Sequence, residues 1–128
     1  MSHENKKGFR QLEVWKLSMR LTDKIYDLTE KFPIDQRYGL SSQMQRCAVS
    51  IPSNIAEGCA RASKKEFIQF LYIARGSLAE LETQMILSFA RKYIEKEIYK
   101  EICLIIESIN KMLGKLIKSQ KQPSTHDA

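Results

Sequence analysis

Apolar residues recur every three or four positions along most of this chain, and this spacing constrains the fold more than any other feature. The clearest stretch has spacings of 4, 3, 4, 3, 4 and 4 residues and comprises Phe67, Leu71, Ala74, Leu78, Leu81, Met85 and Phe89. Such spacing gives a helix one apolar stripe and approaches the heptad seam of packed helices. Ser63 and Glu66 have the spacing of a capping box, so this helix is predicted to start with Ser63 as its N-cap.

Three further segments with the same period complete a prediction of four helices. The first covers residues 12–32, the second starts at residue 41 or 42 and ends near residue 58, and the fourth covers residues 94–118. A kink or break is expected at Pro52, because proline removes one helical hydrogen bond and clashes with the preceding turn. Four helices with short connections predict an all-α fold, an antiparallel up-down four-helix bundle.

The bundle domain is predicted to span residues 9–118. A flexible basic segment is expected at residues 1–8 and a disordered tail at 119–128, because both are polar and lack the apolar period. With only five glycines and three prolines, the chain does not resemble a sandwich or barrel of short strands. The first residues lack the apolar stretch of a secretory signal, and no run approaches the roughly 18 apolar residues of a membrane span. We therefore expect a cytoplasmic protein without a membrane partner.

The residue types that usually carry catalysis or bind metals are poorly placed in this sequence. The two histidines, His3 and His126, lie in the polar end segments, and the three cysteines are widely spaced without a CxxC pair. The sequence accordingly predicts no catalytic residue, no metal site and no cofactor, and hence a protein that is not an enzyme.

Polar residues nevertheless interrupt the apolar pattern near Pro52 and in the third helix. Asn54, Glu57 and Arg61 share a face if the second helix continues, and Ser77 and Glu80 lie one turn apart on the next helix. We interpret these five residues as a structural polar cluster that holds the kinked backbone through hydrogen bonds. A small-ligand or catalytic site is the alternative interpretation.

Several motifs, taken in order, resemble a known family. They are Phe9-x-x-Leu12-x-Val14-Trp15, Phe32-Pro33, Asn54-Ile55-Ala56-Glu57-Gly58 and Gly76-Ser77-Leu78-x-Glu80. Together they resemble the bacterial four-helix-bundle family named after proteins encoded in 23S rRNA intervening sequences. The resemblance implies a ring-shaped homopentamer without an established enzymatic activity. A more distant similarity, to the accessory variability proteins of diversity-generating retroelements, implies binding of nucleic acid and of a reverse transcriptase.

The apolar arcs of the first and fourth helices are wider than one bundle seam requires. Each carries a second stripe, which includes Leu21 and Ile25 in the first helix and Ile106 and Leu113 in the fourth. A surplus stripe predicts contact between subunits, which agrees with a ring-shaped homo-oligomer. Trp15 and the tyrosines also lie on helical stripes and are interpreted as core residues.

The net charge of +6 gives the leading functional hypothesis. In a ring of five subunits this charge becomes +30, a field that attracts a polyanion through counterion release. We therefore predict binding of RNA, including rRNA, or of DNA through the basic residues Lys111, Lys115, Lys118, Lys121, Lys6, Lys7 and Arg10. The simpler alternative is a solvated face that keeps the protein soluble. The alternative function is that of a protein–protein adaptor, for example an accessory subunit of a nucleic-acid-processing protein.

Overall fold

A computed structural model of the protein describes residues 8–123. Within this range the chain forms no strand and four α-helices: α1 Glu13–Thr29, α2 Leu40–Cys59, α3 Lys64–Ala90 and α4 Lys96–Lys121. Short 3-10 turns, Gly8–Gln11 and Ile34–Gln36, precede α1 and α2. The predicted all-α class with four helices is confirmed. Most of the segment predicted to be flexible, and residues 124–128 of the predicted tail, lie outside the described residues.

The helices pack in the cyclic order α1–α2–α3–α4, each against its two neighbours, so that α1 and α3 occupy opposite corners. The α1–α2 and α3–α4 connections meet at one end, where the ring centroids of Phe32 and Tyr93 lie 5.3 Å apart. At the other end, the amino group of Lys121 at the close of α4 reaches Tyr72 near the start of α3. Successive helices therefore run in opposite directions.

The core consists of the residues that define the predicted stripes, because those residues face the common axis of the four helices. The side chains that are fully enclosed include Leu21, Ile25, Met44, Ile51, Ile55, Leu71, Leu78, Leu81, Met85, Ile109 and Leu113. Removing such side chains from water is the main favourable term in folding.

Helix α1 ends at Thr29, three residues before the predicted boundary at Phe32. The amides of Lys31 and Phe32 donate to the carbonyls of Leu28 and Thr29, each at 3.1 Å. This spacing of three residues is that of a 3-10 turn, which is tighter than an α-helix. The tightened turn directs the Phe32 side chain into the core ahead of Pro33.

Of the kink or break predicted at Pro52, the break does not occur, because helix α2 continues through this residue. Proline deprives the carbonyl of Ala48, four residues earlier, of its usual helical donor. The hydroxyl of Thr22 on α1 donates to the carbonyl of Ser18 at 2.8 Å and also to that of Ala48 at 3.1 Å. A neighbouring helix thus supplies the hydrogen bond that proline removes, and the backbone stays helical.

The termini of α3 and α4 depend on local polar contacts. The N-cap of α3 is Ser63, as predicted, and its hydroxyl accepts a hydrogen bond from the Glu66 amide at 3.2 Å. Helix α4 runs to Lys121, beyond the predicted boundary at Lys118, and both lysines lie in its last turn. Positive side chains in the last turn stabilise a helix, because they interact favourably with the negative end of its dipole.

The second apolar stripes predicted on α1 and α4 are not a surplus surface of the single chain. Leu21 and Ile25 of α1, like Ile106, Leu113 and Ile117 of α4, are buried, because each of the two helices packs against two neighbours. The large apolar side chains that stay exposed are found mainly on α3 and α1, and among them are Tyr72, Ile73, Ile86, Leu87, Met19 and Tyr26.

Helix α3 ends in a Schellman motif with an unusual residue at its centre. The amide of Tyr93 donates to the carbonyl of Ser88, and that of Lys92 to the carbonyl of Phe89, both at 2.9 Å. Lys92 has a φ angle of 66°, in the left-handed region that glycine adopts at little cost. The Cβ of lysine makes this conformation unfavourable.

Lys92→Gly is therefore expected to stabilise the fold by about 1 kcal/mol. Thermal unfolding at one fixed protein concentration would measure the change. Lys92→Ala is the matched control, because it removes the same charge but keeps the Cβ. Equal stabilities of the two variants would contradict the explanation from backbone strain.

Candidate functional site

The charges of the described residues are unevenly distributed along the bundle axis. One half, formed by residues 8–21, 50–77 and 109–123, carries eleven Lys or Arg against three Asp or Glu, a balance of +8. The opposite half, formed by residues 22–49 and 78–108, carries eight against ten, a balance of −2. We refer to these as the basic half and the opposite half. The antiparallel topology brings basic segments that are distant in sequence to one end of the molecule.

The basic half contains all the predicted nucleic-acid-binding residues that the structure describes. Lys111, Lys115 and Lys118 are exposed on α4, and Lys111 forms an ion pair with Glu107 at 3.7 Å. Arg10 is exposed, with its guanidinium 5.8 Å from the ring centroid of the adjacent Phe9. The remaining predicted residues, Lys6 and Lys7, lie outside the described range.

The α2–α3 connection and α3 add basic residues that are absent from the predicted nucleic-acid-binding set. Their charges come from Arg61, Lys64, Lys65 and Arg75. The guanidinium of Arg61 lies 4.9 Å from the ring centroid of Phe70. In the sequence these residues form a basic run, Arg61 to Lys65, around the predicted start of the third helix, but only the antiparallel topology places this run at the same end of the bundle as the C-terminus of α4.

Tyr72, also in the basic half, is not the core residue that its place on a helical stripe indicated. Its side chain is 45% exposed, and its hydroxyl accepts a hydrogen bond from the Lys121 amino group at 2.8 Å. That hydrogen bond, together with the charges of Lys121 and Arg75, lowers the pKa of the Tyr72 hydroxyl below its usual value. The sequence did contain an indication that Tyr72 is exposed, because it follows Leu71 directly and therefore lies outside the apolar seam of α3.

The predicted polar cluster is divided between two places. In the first, between α2 and α3, the hydroxyls of Ser50 and Ser77 lie 2.6 Å apart. The Asn54 amide donates to the carbonyl and the hydroxyl of Ser50, at 2.8 and 3.1 Å. The Cys47 thiol donates to the carbonyl of Ser77 at 3.0 Å. These contacts pair the polar groups with one another where the two helices pack.

The Glu80 carboxylate completes this group at its solvent-facing edge. Burial, together with the negative charge of Glu80, raises the pKa of the Cys47 thiol to about 12. A thiol that stays protonated at neutral pH is a weak nucleophile. The shallow depression at this edge is lined by Gln43, Arg46, Cys47, Ser50, Ser77 and Glu80.

Glu57 and Arg61 form the second part of the predicted cluster. Their ion pair has an N···O distance of 2.6 Å, and about half of each side chain is exposed. An exposed pair one helical turn apart contributes only about 0.3–0.5 kcal/mol. The Glu57–Arg61 pair lies next to Phe70 in the basic half and is separate from the contacts between Ser50 and Ser77.

No set of three or more His, Cys, Asp or Glu side chains within residues 8–123 is arranged to hold a metal ion. None of the helices described here is long and apolar enough to cross a membrane.

The fold and this site define a class of protein, the antiparallel four-helix bundle with a basic end. Residues 10–115 match the sequence model of the family described as 23S rRNA-intervening sequence protein. The chain belongs to that family, which confirms the resemblance found in its motifs.

A solved structure supports the same family and fold. It is a protein of unknown function from the S23 ribosomal protein family of Bacteroides thetaiotaomicron, with 31% sequence identity and a TM-score of 0.76. The match covers 82% of this chain and 95% of that protein. No curated protein sequence matched this chain.

Proposed function

We propose that this protein is a non-enzymatic homo-oligomer that binds nucleic acid, RNA in the first place, through its basic half. The observation that carries the proposal is the charge separation along the bundle axis, +8 against −2 among the described residues. A clustered positive field attracts phosphates, and counterion release then favours binding without sequence readout. The name of the family connects it with 23S rRNA, which makes ribosomal RNA the first natural ligand to test.

The proposed assembly is a closed ring of five subunits in the cytoplasm. Exposed apolar side chains at two opposite corners support it: Ile86 and Leu87 on α3, and Met19 and Tyr26 on α1. Two different faces on opposite sides of a subunit allow head-to-tail contacts, which close into a ring when the rotation permits. Five chains of +6 would carry +30, with a basic half repeated around the ring.

The contacts of the polar cluster favour a structural role over a catalytic one. The hydroxyls of Ser50 and Ser77 and the amide of Asn54 are paired with groups of the protein itself. The thiol of Cys47 is kept protonated by burial and by Glu80, so it is not an activated nucleophile. We accordingly include no cofactor and no catalytic residue in the proposal.

The decisive experiment reverses the same number of charges in the two halves of one helix. Lys115→Glu with Lys118→Glu changes the basic half, and Lys96→Glu with Lys100→Glu changes the opposite half. We expect the first pair to lower the affinity for a structured RNA hairpin about 100-fold, and the second to change it about threefold or less. Binding would be measured over a salt series, with the mass of the oligomer determined in the same buffers.

Equal losses for the two pairs would mean that net charge alone determines binding and would contradict a localised interface. An intact oligomer that binds neither RNA nor DNA at low salt would overturn the proposal.

The function to consider next would then be that of a protein–protein adaptor, and one feature of the structure favours it. Ile34 and Tyr38, in the α1–α2 connection, are 78% and 90% exposed, as expected of a contact surface for a protein partner such as a nucleic-acid-processing enzyme.

A further inference from the structure

Tyr72 occupies a position on α3 that residues 8–123 leave open, with 45% of its side chain exposed. Gly76 follows it by one helical turn, and a Cβ added at Gly76 would meet nothing within 4 Å. Side chains on a helix lean toward its N-terminus, so a larger residue at position 76 would lie over the tyrosine. Glycine in a helix costs about 1 kcal/mol relative to alanine, and no packing contact within the described part of the chain requires it here.

Cationic groups lie close to this open aromatic ring. The amino group of Lys121 is 5.3 Å from the ring centroid and donates to the hydroxyl at 2.8 Å. Lys65 lies two turns before Tyr72 on the same face of α3 and is exposed. An aromatic ring flanked by lysines combines a surface for stacking with charges for phosphates, the combination used by proteins that bind single strands.

We propose that the nucleic acid bound by the basic half is single-stranded, and that Tyr72 stacks on an unpaired base while Lys121 and Lys65 neutralise neighbouring phosphates. This inference rests on the proposed function and restricts its ligand to single-stranded nucleic acid. In a duplex the base faces are stacked on one another and cannot reach a ring on a helix surface. An unpaired base presents its face, and the gap left by Gly76 gives it access to the ring.

The test compares two probes with equal numbers of phosphates: an oligothymidylate of about 12 nucleotides and a strand of the same length with abasic sugars. The wild-type oligomer is expected to bind the oligothymidylate about tenfold more tightly. Tyr72→Leu and Gly76→Gln are both expected to remove this preference while leaving binding of the abasic strand unchanged. Tyr72→Phe, which keeps the ring, and Tyr38→Leu, which removes an exposed tyrosine of the opposite half, are expected to retain it.

Equal affinity of the wild type for the two probes, or a preference that survives Tyr72→Leu, would overturn the inference and leave charge-driven binding in place. Equal or tighter binding of a duplex of the same length would overturn it as well. A changed oligomer mass in Tyr72→Leu would assign Tyr72 to a subunit contact instead. Failure of the wild type to bind any of these probes at low salt would overturn both this inference and the proposed function.

Discussion

Gly58→Ala is expected to destabilise the protein by about 2 kcal/mol, although alanine is the better helix former. Gly58 lies near the end of α2, where α3 crosses it closely. A Cβ at this position would be 2.6 Å from the Cβ of Phe70, and 3.0 Å from Cδ1 of Phe67. The Phe70 Cβ is bonded directly to the backbone of α3, so it cannot move aside by changing rotamer. The two helices would have to move apart at this contact.

The control for this substitution is Gly114→Ala in α4, where an added Cβ would meet nothing within 4 Å. That change is expected to raise stability by up to about 1 kcal/mol, because only helix propensity differs. Thermal unfolding at a fixed protein concentration should show a loss of about 5–10 °C for Gly58→Ala and a small gain for Gly114→Ala. Similar melting temperatures for the two variants would contradict the steric explanation.

The helices themselves could be predicted from sequence because each depends on local patterns. The stripe of α3 needs only the spacing of its apolar residues, and its start needs only Ser63 and the amide of Glu66. The course of α2 could not be predicted in the same way. The hydrogen bond that replaces the one lost at Pro52 comes from Thr22, which lies 30 residues earlier in the chain and meets Ala48 only after α1 and α2 pack.

The candidate site could not be predicted from any single motif, because its residues come together only through the topology of the bundle. Lys121 and Tyr72 are 49 residues apart in sequence and are joined because α3 and α4 run in opposite directions. The lysine run of α4 was recognisable from its spacing, but the contribution of Arg61 and Lys65 to the same end was not. The polar cluster was predicted from helical spacing along each segment. Spacing alone could not indicate that Asn54 contacts Ser50 while Glu57 pairs separately with Arg61.

Thr22→Val is expected to destabilise the protein by about 2 kcal/mol, a loss larger than the deletion of an ordinary exposed hydroxyl would cause. Valine keeps the branched shape but cannot donate to the carbonyl of Ala48. Ala48 is fully buried, and the residue four positions later is Pro52, which has no N–H to offer. The carbonyl would therefore remain buried without a partner, and that desolvation accounts for most of the expected loss.

A double-mutant cycle with Pro52→Ala separates this effect from lost packing. Alanine at position 52 restores the N–H that a helix normally donates to the carbonyl of Ala48, so the Thr22 hydroxyl becomes dispensable for that carbonyl. Thr22→Val is accordingly expected to cost at least about 1 kcal/mol less in the Pro52→Ala background than in the wild type. Pro52→Ala alone also removes a buried ring, and this loss cancels in the cycle. Denaturant unfolding of the four proteins measures the coupling, and an additive result would mean that Thr22 stabilises α1 through Ser18 alone and that α2 tolerates Pro52 for another reason.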